Sequence, residues 1–116
     1  MRMPEGPRPY QLPDPVILGE WDRVHTPGLE KALVELYAQL PQVSRAYVAN
    51  IESRRPGGSI GLFVLTTTGE DSQVIDRTFE AYRHLYGTLD GLQLLFLHAR
   101  LEQLVQQRCR PFFPAT

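Results

Sequence analysis

The amino-acid sequence predicts an α+β domain of ferredoxin-like β-α-β-β-α-β order. In that order an antiparallel sheet carries two helices on one face, and here a short C-terminal helix and an aromatic tail follow. Three observations predict it. Residues 26–51, TPGLEKALVELYAQLPQVSRAYVANI, read as a helix stopped by a proline and turned directly into a strand. Residues 43–53 and 59–68 are two strand-like runs separated by a glycine-containing turn, the mark of a hairpin. A second helical stripe, Ile75, Phe79, Tyr82 and Tyr86, is then followed by the apolar run 92–98.

Five prolines, Pro4, Pro7, Pro9, Pro13 and Pro15, fall within residues 1–15. Proline fixes φ and removes backbone donors, so residues 1–14 are expected to form an arm outside the core, and residues 15–116 a single domain. Residues 16–21, VILGEW, form a short first strand. Thr26 is a natural N-cap and Pro27 suits the first helical position, where its missing N–H costs nothing. Leu29, Leu33, Leu36, Tyr37 and Leu40 lie on one stripe of the helix that follows, and Pro41 ends it. The second helix opens near Glu70 and Asp71, whose charges favour a helix N-terminus. Val74, Ala81 and Leu85 flank its stripe, and Gly87 is its expected C-cap. Residues 100–107 form the short third helix, with Leu101, Leu104 and Val105 on one side.

Composition excludes several function classes. Across 116 residues the formal net charge is −1, so no overall field attracts nucleic acid or an anionic membrane. No unbroken apolar run exceeds four residues, far short of a membrane span. The N-terminus lacks an apolar signal core, so the cytoplasm is the expected location. A single cysteine, Cys109, permits neither an internal disulfide nor a cysteine-based zinc site. His25, His84 and His98 follow no metal-ligand spacing and are expected at the surface or as caps. No cofactor is expected.

Three local features point to chemistry or binding that their context weakens. Gly57-Gly58-Ser59-Ile60-Gly61 matches G-x-S-x-G, yet a nucleophile elbow needs a strand before the serine and a helix after it. Here a turn precedes and a strand follows. Residues 60–64, IGLFV, echo an aromatic RNA-binding strand but lack its basic residue and first stacking ring. Cys109 lies between Arg108 and Arg110, where positive charge favours a thiolate. A buried thiol beside solvated arginines explains the same residues without chemistry.

Gly19, Thr26-Pro27 with the leucine helix behind it, Val43-x-x-Ala46-Tyr47-Val48, and Pro111-Phe112-Phe113 together resemble the C-terminal domain of bacterial enhanced serine sensitivity proteins of the SseB type. The resemblance runs over residues 16–113. Two departures stand out: family members commonly carry a separate N-terminal domain where this chain has its proline arm, and the family tail tends to Pro-Phe-Tyr where Phe113 lacks the hydroxyl. The resemblance implies a link to serine tolerance and no reaction, cofactor or catalytic residue.

Two strands are apolar on both faces. Ile60, Leu62 and Val64 alternate with Phe63 and Leu65, and Leu92, Leu94 and Phe96 alternate with Leu95 and Leu97. Strands apolar on both faces are buried on both, yet two helices cover only one face. The third helix and the Phe112-Phe113 tail are expected to cover the second, with any remainder forming a homodimer contact or a partner site. Phe63, Leu65, Leu95, Leu97, Phe112 and Phe113 are thus the expected interaction surface. The function expected is that of a non-enzymatic accessory domain that binds a protein or small-molecule partner. The alternatives are an amino-acid-sensing regulatory domain, by fold analogy alone, and a thiol enzyme using Cys109.

Overall fold

The computed structural model describes residues 16–20, 28–52 and 59–114. Within them a four-stranded sheet in the order β1-β2-β3-β4 is packed by three helices. Strands β2 (Val43–Ile51) and β3 (Ser59–Thr66) are its spine, antiparallel from Val43 opposite Thr66 to Ile51 opposite Ser59. This is the expected hairpin; its turn, with Arg54, Arg55, Gly57 and Gly58, lies outside the described residues. Strand β1 (Ile17–Glu20) pairs antiparallel with β2 at one edge, with an irregularity between Ile17 and Gly19.

The expectation of an all-antiparallel, ferredoxin-like sheet is corrected at both edges. Strand β4 (Leu92–Phe96) pairs parallel with β3, from Ile60 beside Leu92 to Val64 beside Phe96, so the sheet is mixed. The reason is the long connection. Helix α2 (Ser72–Tyr86) carries the chain back to the end where β3 began, and a strand entering from that end runs parallel. Strand β1 does not insert between β3 and β4, which are direct neighbours.

Helix α1 (Leu29–Tyr37) buries Leu29, Leu33, Leu36 and Tyr37 of the predicted stripe; it ends ahead of Pro41, and Leu40 is buried from the connection that follows. Its N-cap is Gly28, which offers no side-chain cap; Thr26 and Pro27 lie outside the described residues, as does the proline arm of residues 1–14. Asp71 caps α2 by accepting from the N–H groups of Gln73 and Val74, and Gly87 closes it with φ 75°. The buried face of α2 is rotated from the predicted one. Val74, Thr78 and Tyr82 point inward, Ile75 and Phe79 are half-buried, and Leu85 and Tyr86 are exposed. A polar residue takes the central core position because the Thr78 and Tyr37 hydroxyls satisfy each other at 2.8 Å.

Two cores result, one per face of the sheet. The first packs α1 and α2 on Val43, Ala46, Val48, Ile60, Leu62 and Val64, with Leu92, Leu94 and Phe96 at its margin. The second gathers Tyr47, Ala49, Ile51 and Phe63 under helix α3 (Ala99–Gln106), with Leu95 and Leu97 at its margin. The alternation read from the sequence therefore separates Ile60, Leu62, Val64, Leu92, Leu94 and Phe96 from Phe63, Leu95 and Leu97 correctly.

Candidate interaction surface

The second face is closed by α3, as expected. His98 caps the helix, its Nδ1 accepting from the Leu101 N–H at 3.3 Å, and the helix lowers Leu101 and Val105 onto Phe63 and its neighbours. A polar link pins α3 across β2. Arg45 donates to both Glu102 oxygens at 2.7 and 3.1 Å, the Tyr47 hydroxyl donates to Glu102 Oε2 at 2.9 Å, and Gln106 Nε2 donates to the Tyr47 oxygen at 3.1 Å. The forked geometry suits a guanidinium and a carboxylate. Hydrogen bonding from Arg45 holds the Glu102 carboxyl below its usual value, against the opposing effect of burial. Burial, first of all, raises the Tyr47 phenol. This link escaped the sequence reading. Its signal was there: Arg45 and Tyr47 are two apart on a strand, hence on one face, and Glu102 and Gln106 are four apart on a helix.

The six residues expected to form a surface are divided by the structure. Phe63 is fully buried beneath α3; Leu95 and Leu97 flank it half-buried, and Leu65 is half-buried near the end of β3. Phe112 and Phe113 do not continue across this face. They pack on the first core, where the Phe113 ring meets Tyr37 edge-on at 5.9 Å and that of Phe112 lies 6.4 Å away. The tail reaches them by pairing with β2: the Phe112 N–H donates to the Ala46 carbonyl at 2.9 Å, and the Ala46 N–H donates to the Phe113 carbonyl at 3.0 Å. Strand β3 fills one edge of β2 along its length, so the tail occupies the other, beyond the stretch that β1 covers.

The chemical alternatives find these surroundings. Cys109 is 5% exposed and packed in the second core with Tyr47 and Val105. Gly61 lies within β3, where a Cβ would approach the Ile51 side chain to 2.7 Å, so this glycine serves close packing. His84 is exposed in the last turn of α2, and His25 lies outside the described residues. Among the described residues no group of three or more His, Cys, Asp or Glu side chains could hold a metal, and no helix is long and apolar enough to cross a membrane. An open depression of about 220 Å³ is lined by one consecutive run, Gln106 to Arg110, and brings no separate elements together.

Among the described residues, the outer edge of β4 has no strand beside it. The Ile60 N–H donates to the Gly91 carbonyl at 2.7 Å, and the Leu97 N–H to the Val64 carbonyl at 2.8 Å. In a parallel ladder these bonds commit residues 91, 93, 95 and 97 to β3. The main-chain groups of Leu92, Leu94 and Phe96 consequently point away from the sheet. The Leu92 N–H is taken up by the Leu89 carbonyl at 3.2 Å. Leu92, Leu94, Leu95 and Phe96 remain half-buried, and Gln93 is exposed.

No curated protein and no solved structure matches this chain. A family model does, that of the SseB protein C-terminal domain, over residues 14–114. This span takes in all four strands, the three helices and the tail that clasps β2, and the chain belongs to the SseB C-terminal domain family.

Proposed function

We propose that this domain is a non-enzymatic accessory module that acts by binding another protein, with the outer edge of β4 as its contact. One observation carries the reading. Strand β4 is uncharged, with Leu92, Leu94 and Phe96 on one face and Leu95 beside the exposed Gln93 on the other; its leucines and Phe96 are half-buried at the margin of the two cores, and its outward main-chain groups have no strand beside them among the described residues. A sheet edge of this kind is a template for an additional strand. A regulatory domain for amino acids would need an enclosed site with converging polar groups, and the depression at the end of α3 offers one turn of chain.

Residue-specific photo-crosslinking in cells tests the reading. A photoreactive residue at Gln93, exposed on β4, should give a discrete protein adduct. The same residue at Glu80, exposed on α2, should not. Equal labelling at both sites, or none at Gln93, would sink the proposal. A thermal upshift of the purified domain with L-serine or another amino acid would instead favour the ligand-sensing alternative.

A further inference from the structure

Resting on the reading of β4 as a contact edge, we infer that its partner is a second copy of this chain, with the two β4 strands antiparallel about a twofold axis at Leu94. The bonding pattern is self-complementary. With Leu94 opposite Leu94 of the second copy, each Leu94 N–H meets the other's carbonyl. Each Phe96 N–H meets the carbonyl of Leu92 opposite. These are the groups that the ladder to β3 leaves pointing outward.

The side chains match as well. On the first face Leu92 comes opposite Phe96, and Leu94 opposite itself, so apolar meets apolar at every pair. On the second face Gln93 comes opposite Leu95, with no charge brought against a like charge. Both cores end at β4 with part of their apolar surface in water, so one twofold extends both at once. A partner of other sequence would have to reproduce this pattern; the second copy carries it by symmetry.

The other free edges are treated differently. Strand β1 breaks its register between Ile17 and Gly19, a device that twists an edge away from further pairing. The stretch of β2 around Ala46 is taken by the tail. Strand β4 keeps a regular register from Leu92 to Phe96 and no charged gatekeeper.

Five residues span about 17 Å, so the contact is small and the dimer is expected at the weak end of specific association. Sedimentation equilibrium of the full chain from about 10 to 500 µM should show mass rising from monomer towards dimer. Leu94→Pro removes an outward N–H while leaving the ladder to β3 its donors, and Gln93→Lys adds the gatekeeper charge at an exposed position. Each should weaken self-association by at least about tenfold with an unchanged circular dichroism spectrum. Should Leu94→Pro fail to fold, Gln93→Lys decides alone. A wild-type chain that stays monomeric throughout, or a folded variant that dimerises as the wild type does, overturns the inference. Adducts from Gln93 to a different protein, with a monomeric purified chain, would remove the second copy and leave the binding reading in place.

Discussion

At the scale of single residues, Glu102 shows how a polar contact is made useful at the edge of a core. Its carboxylate meets Arg45 on one side and the Tyr47 hydroxyl on the other. The Arg45 side chain is 43% exposed, so solvent screens the ion pair and its direct contribution is small. More depends on the Tyr47 hydroxyl, whose residue is fully buried and would lose its acceptor if Glu102 left. The pH dependence follows from the sign of the shift. The Glu102 carboxyl titrates lower in the folded chain than its usual 4.5, so the unfolded chain takes up its proton first as the pH falls. Its stabilisation is complete above that usual value and is lost as the pH drops through the depressed one. Glu102→Gln should therefore flatten the decline of unfolding free energy below about pH 4.5, while costing about 1 kcal/mol or less at neutral pH. Urea titrations of both proteins between neutral and acid pH check this; parallel acid limbs would show that other carboxylates set the decline.

At the scale of elements, α1 and α2 differ in how directly their sequences announce their faces. Leucine at Leu29, Leu33, Leu36 and Leu40, with Tyr37 beside them, leaves one burial solution, and the structure adopts it. On α2 only Tyr82 of the predicted stripe is buried; Ile75, Phe79 and Tyr86 sit to one side of the buried face, and Thr78 at its centre is 0% exposed. Apolar periodicity weighs Phe79 above Thr78. It cannot see that a hydroxyl on another helix makes Thr78 the better core residue. Leu33→Ala should accordingly cost about 2–5 kcal/mol, the range for a fully buried leucine. Phe79→Ala should cost on the order of 1 kcal/mol, because the ring is only half withdrawn from water. Equal losses in thermal or chemical unfolding would place the Phe79 ring in the core after all.

At the scale of the whole molecule, period-two alternation made the two faces of the sheet legible, because a strand residue's parity is fixed once its neighbours are placed. Residues 60–64 and 92–97 were assigned to their cores from sequence alone. Strand order was not legible, since parity is the same whichever neighbour a strand takes. The aromatic tail was misplaced because Pro111-Phe112-Phe113 has no period and can lie against either face. In the structure it joins the two: Cys109 belongs to the second core, and Phe112 and Phe113 to the first, with the crossing made at Ala46. Truncation after Gln107 should lower the unfolding temperature and speed hydrogen exchange at the Ala46 N–H, which now donates to Phe113. Unchanged exchange there would mean that the tail lies on β2 without holding it.

The crossing also bears on how the chain is made. Strands β2 and β3 leave the ribosome well before α3 and the tail, so until those follow Phe63 and Tyr47 lack the cover of α3 and the edge of β2 at Ala46 lacks its partner. Residues 99–113 supply both remedies, and supply them last among the elements described. A nascent chain halted before Leu101 should therefore be the form that chaperones hold most tightly. Release should come when Leu101, Val105 and then the phenylalanine pair emerge.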